Sequence, residues 1–188
     1  MCDASLMRHS GCMPEELTAA ATANAFLDIQ EGDKGTFPRI DPMKMQKLLF
    51  YAAAWWLALK EKPLFPEEIC AWPWGPVVPN VYTAFRDFGR NPIIGRRATE
   101  IVRVGPGHLD FERREPKVEL SSDGGSFLRG VWNSHKLLTG IQLSNATHAP
   151  GEPWTIVKEQ YRDDLSSKPI IPNDLIKEVF KRKLPVNG

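Results

Sequence analysis

MKMQKLLFYAAAWWLALK, residues 43–60, decides the fold. Apolar residues recur at 45, 48, 49, 52, 56 and 59, the spacing of one helix face. Tyr51 and Trp55 widen that stripe until most of the circumference is apolar. Such a helix needs a packing partner on every side and belongs at the centre of a domain. Asp41-Pro42 starts it, a capping carboxylate followed by proline in the first turn, and Pro63 ends it. The polar remainder, Lys44 and Lys47, gathers in the first turns and reads as an exposed, solvated helix start.

Working outward, PEELTAAATANAFLDIQ from Pro14 predicts a first helix, acidic at its start and stopped by Gly32 to Gly35. PEEICAW (66–72) predicts a short helix with proline at N1 and glutamates in the first turn. From Pro79 another helix is expected, with Val78, Val81, Tyr82, Phe85 and Phe88 on one face and Gly89 as its stop. Further helices are expected from Ser126 to about Leu138 and as a short turn over Leu143 to Thr147. A last one falls in PNDLIKEVFKRKL, whose basic end suits the helix dipole. Residues 90–125 are the least regular. Alternation in EIVRV and KVEL allows two short strands around Gly105-Pro106-Gly107. The expected fold is mainly α: one domain of about six helices over residues 14–184, with room for a small β-hairpin in 95–120. A flexible tail, residues 1–13, precedes it.

At 188 residues the chain suits one domain with a real core. A net charge of +1 gives no basic field for nucleic acid. The longest apolar run, Leu48 to Leu59, is too short to span a bilayer, and the N-terminus carries no apolar leader. Three cysteines (2, 12, 70) lack metal-ligand spacing, and Cys70 reads as a small buried thiol. These features point to a cytoplasmic protein with no membrane partner. No phosphate loop, nucleophile elbow or HExxH pattern occurs, and histidines 9, 108, 135 and 148 are scattered. No catalytic residue, metal or cofactor is therefore expected, and His135 reads as structural. Arg86, Arg90, Arg96, Arg97 and Arg103 bunch modestly. They offer an alternative, a DNA-binding regulator on a wing-like face acting on its own operator. Asp87, Glu100 and Asp110 dilute that patch, which suits a solvated face.

Three stretches carry a family resemblance: residues 43–65, EEICAWPWGPVVPNVYTAFRDFG (67–89) and LSNATHAPGEPW (143–154). In this order they resemble the Panacea domain, the SocA-like antitoxin domain also found in phage-associated GepA-type proteins. The matching positions are Met45 to Tyr51, Ala71-Trp72, Trp74 to Val77, Pro79, Tyr82, Leu143-Ser144, Thr147-His148 and Pro153-Trp154. Cys70 departs from the family's acidic residue, and the interval from His148 to Trp154 is slightly long. The resemblance implies binding: an antitoxin that neutralises a cognate toxin from the adjacent gene, on a prophage or other mobile element. It does so by masking or by delivery to a cellular protease.

The candidate partner-binding residues are Lys44, Lys47, Trp74, Gly75, Pro76, Val77, Tyr82, His148 and Trp154. Trp72 is expected to face inward, while Trp74 is open between core and surface. Pro73, Pro76 and Pro79 each fix a φ angle. A segment so restrained loses little entropy on binding. A core corner orienting two helices needs the same rigidity. His148 reads as a cap or backbone partner, and Trp154 as a packed side chain.

Overall fold

The computed structural model describes residues 17–105 and 110–185. The expected tail, the helix start at Pro14 and the Pro106-Gly107 turn lie outside them. Element α2 (Pro42–Lys60) is the central helix, and Asp41 caps it by accepting from Lys44 N at 2.7 Å. It packs against α1 (Ala19–Gly32), α3 (Pro79–Phe85), α4 (Asp123–His135), α5 (Gly140–Thr147) and α7 (Asn173–Lys181). Fourteen of its nineteen residues are buried, as an all-round apolar helix requires. Glu61 ends it in the left-handed region, and its carboxylate pairs with Lys181 of α7. From α7, Phe180 meets Trp55 edge-on at 4.9 Å and Phe50 at 5.8 Å. His135, structural as expected, stacks on Tyr51 at 4.6 Å and lies 2.8 Å from Val131 O through Nδ1.

Helix α1 is tied down by residues far along the chain. Thr18 caps it through Ala21 N, and both Glu67 oxygens accept from Ala19 N at 3.0 Å. Buried Asn24 donates to Ala98 O (3.0 Å) and Pro116 O (2.9 Å) and accepts from Ala98 N (2.8 Å). This clamp holds the irregular 98–116 region against the core. Removing it orphans three backbone groups, each worth ~1–3 kcal/mol when buried without a partner. Asn24→Ala is therefore expected to cost about 3 kcal/mol in urea unfolding. A loss below about 1 kcal/mol would show that the clamp adds nothing.

The fold is mainly α with two small antiparallel hairpins, and two local expectations are corrected. PEEICAW does not form a helix; β1 (Cys70–Trp72) pairs with β2 (Gly75–Val77) around a two-residue Pro73-Trp74 turn. On its other side Ala71 N donates to Pro169 O (2.7 Å) and Ile171 N to Ile69 O (2.8 Å). Those distant partners outweigh the local helix-start signal, and Glu67 is free to cap α1 instead. Cys70 is consequently half-buried rather than buried. The second hairpin joins β3 (Glu100–Arg103) to β4 (Phe111–Arg114), not to KVEL. In that segment Val118 packs into the core without forming a strand, whereas β4 is wholly exposed. A helix unassigned in the sequence, α6 (Pro153–Gln160), follows the HAPGE turn with proline at its start. Helix α4 starts three residues earlier than expected, capped by Ser122, and ends at His135.

Candidate partner-binding site

The β1–β2 hairpin is fastened to the central helix by side chains of α2, α5 and α6. Lys47 Nζ donates to Trp74 O (2.7 Å) and Pro76 O (3.1 Å). Ser144 of α5 donates to the same Trp74 carbonyl at 2.9 Å, and Thr147 donates to Ser144 O at 2.7 Å. Gln46 accepts from Val78 N at 2.7 Å, and Trp154 Nε1 donates to Trp72 O at 2.8 Å. Gly75 sits at φ +104°, where a Cβ would fall 2.4 Å from Lys47 Nζ. Only glycine combines that backbone with so close an ammonium.

Lys44 and Lys47 are not at a solvated helix start. Both are buried, at 0% and 1% exposure, which corrects the sequence expectation. Three residues apart, they share one face of α2. Lys44 Nζ donates to Pro38 O (2.7 Å) and Lys136 O (2.8 Å) and lies 5.2 Å from the Trp132 ring centroid. Carbonyl oxygens replace the water each ammonium has lost, a partial repayment for burying charge. Desolvation therefore pushes Lys47 down to about 7. It pushes Lys44 to about 8, with Asp41 opposing.

The other predicted residues divide between support and surface. Gly75, Pro76, Val77 and Trp154 are buried, while Tyr82 and His148 are half-buried. Trp74 is 73% exposed, which resolves its two readings in favour of the surface. Trp72 is half-buried between the Tyr82 ring (4.9 Å) and Lys168 (4.3 Å from the ring centroid). His148 caps the end of α5 and stacks on Trp154 at 3.9 Å. Burial first, then Lys47 and Lys158, hold its imidazole below the usual range. So the structure gathers most of the predicted set into one corner, with Trp74 at its tip. Sequence reasoning missed Gln46 and Ser144 as tethers, although Ser144 stands in the matched LSNATH element. It also missed the exposed Leu137 (69%) and Ile141 (66%), whose neighbours the sequence does not reveal.

Elsewhere the arginine patch meets carboxylates of its own surface. Arg97 pairs with Asp28 and Glu31 at 2.8 Å, and Arg96 with Asp87 at 3.5 Å. Among the described residues no group of His, Cys, Asp or Glu is arranged to hold a metal. No helix among them is long and apolar enough to cross a membrane.

No solved structure matches the chain. A curated relative, antitoxin SocA of Caulobacter vibrioides (strain NA1000 / CB15N), is 29% identical over 168 residues. That alignment covers 89% of this chain and 85% of the relative. The family model described as antitoxin SocA-like, Panacea domain, matches residues 45–155. These bounds enclose most of α2, the braced hairpin, α5 and the His148–Trp154 stack. The chain thus belongs to the SocA-like antitoxin, Panacea-domain family.

Proposed function

We propose that this protein is the antitoxin of a two-gene module and neutralises its toxin by direct, stoichiometric binding in the cytoplasm. The observation that carries the reading is Trp74, a large aromatic held in solvent by a carbonyl with two internal donors. Interface energy concentrates in rigid aromatic anchors of this kind. Family membership and the antitoxin relative support the same reading. The toxin is the product of the adjacent gene, on a prophage or other mobile element. In this reading the buried lysines, Gly75, Pro76, Val77, Tyr82, His148 and Trp154 support the contact, and Trp74 makes it.

The test is expression of the neighbouring reading frame alone and together with this protein. Growth arrest alone and recovery on co-expression are the expected results. A non-toxic neighbour, or toxicity that persists, would overturn the reading. Masking also requires that toxin lifetime stay unchanged while growth recovers; a shortened lifetime would replace masking by delivery to a protease.

A further inference from the structure

The net charge is only +1, yet the cations are unevenly placed. The structure splits the basic stretch between positions 86 and 103 in two. Glu100, one of the carboxylates expected to dilute it, pairs with Arg114 at 3.0 Å and accepts from Thr18. Asp110 lies at the turn end of the β3–β4 hairpin, its side chain beside Gly105, and Arg103 belongs to that hairpin too. What remains is one loop, residues 86–96, running on from α3.

Within this loop only Ile93 is buried and Phe88 half-buried; every other residue is exposed. The loop is nevertheless braced. Ile93 N donates to Ile40 O (2.8 Å), Asn91 N to Phe88 O (2.8 Å), and the Arg96 guanidinium lies 4.9 Å from the Phe88 ring centroid. The first of these bonds sets Arg39 at the foot of the loop. A protruding edge therefore carries Arg39, Arg86, Arg90 and Arg96, all exposed, with Ile94 (73% exposed) among them.

Pairing leaves the edge positive. Arg86 and Arg96 share one carboxylate, Asp87, at 3.9 and 3.5 Å, and exposed pairs of this kind are weak. Among the described residues neither Arg39 nor Arg90 has a carboxylate partner. Arg97, next along the chain, pairs with both Asp28 and Glu31 and so brings one surplus negative charge. Even with that group included, five guanidiniums meet three carboxylates.

We propose that this edge binds the phosphate backbone of duplex DNA without reading its sequence, an activity separate from the antitoxin reading above. Guanidinium forks match phosphate oxygens. A protruding loop fits a groove in its partner rather than offering one, and B-form DNA presents grooves walled by phosphates. Ile94 suits that place, because minor-groove binders set apolar side chains beside basic ones against the base steps. Duplex RNA is the poorer complement, since its deep, narrow major groove excludes side chains.

The experiment is fluorescence anisotropy of the full chain with a labelled DNA duplex of arbitrary sequence, read at about 50 and 200 mM salt. Engagement of about three to four phosphates gives a log–log slope of roughly −3, an affinity loss on the order of 40- to 150-fold over that range. Arg39→Gln and Arg90→Gln should each bring the slope about one unit closer to zero while keeping the melting temperature. Asp87→Asn should bind more tightly than the wild type, a gain that misfolding cannot mimic. Arg182→Gln, on α7 and outside the edge, should bind as the wild type does. No binding at the lower salt, a slope near zero, or an unchanged affinity for Asp87→Asn would overturn the proposal. Tighter binding of an RNA duplex of equal length would overturn the assignment to DNA. If the arginine variants keep their DNA affinity but lose capture of the adjacent gene's product, the edge faces a protein and the proposal falls.

Discussion

Lys47→Met is expected to flatten the rise in stability that the wild type shows from neutral to alkaline pH. In the folded protein the amine titrates at about 7, against 10.5 for a free lysine. Between those values the unfolded chain binds more protons than the native one, so stability grows as pH rises through the window. The shift corresponds to a gain of up to about 5 kcal/mol from this group. Below pH 7 both states are protonated, and the burial penalty is present in full. Lys44, at about 8, adds a gain of the same sign in both proteins. Tyr51, pushed up to about 12 by burial and by Glu152, reverses the trend above pH 10. The variant also leaves Pro76 O without its donor, worth ~1–3 kcal/mol, while Trp74 O keeps Ser144. Its deficit against the wild type should therefore widen with pH. Urea unfolding at pH 7, 8.5 and 10 reads this directly, and parallel stability curves for the two proteins would contradict it.

The second large effect is expected at Gly75. A side chain there meets a left-handed backbone and the buried Lys47 amine at once. Backbone strain of ~1–3 kcal/mol adds to an overpacking cost of similar size. Gly75→Val should thus lose roughly 3–5 kcal/mol. Gly89, also at positive φ but with open space where a Cβ would go, isolates the backbone part. Gly89→Ala is expected to lose only about 1–2 kcal/mol. Denaturant midpoints at fixed pH decide the matter: similar losses at both glycines would mean that Lys47 yields easily, and that the hairpin is not clamped as its hydrogen bonds imply.

Local signals were readable where local forces dominate. The Asp41-Pro42 start, the all-round apolar α2 and the amphipathic α7 needed no knowledge of distant residues. The β1 strand did, because its partners Pro169 and Ile171 lie about a hundred positions away in the sequence. Burial of Lys44 and Lys47 was hidden for a related reason. A lysine in the first turns of a helix is normally solvated, and only the folded chain brings Pro38, Lys136, Trp74 and Pro76 carbonyls to these two amines. Most residues of the candidate corner were legible through the ordered motifs. The motifs did not say which side chains face water: Trp72, expected inward, is only half-buried, and Trp74 is exposed.

The distant anchoring of α1 has a consequence for synthesis. This helix leaves the ribosome before the residues that hold it, with eleven of its fourteen residues destined for burial. Its first amide waits for Glu67, and Asn24 waits for Pro116, 92 residues downstream. At ~5–20 residues per second that is an interval of roughly 5–20 s. A nascent chain halted before Pro116 would hold α1 against α2 and α3 only, with α4 and the Pro116 acceptor of Asn24 still missing. The first described helix is thus completed only by residues made much later in the chain.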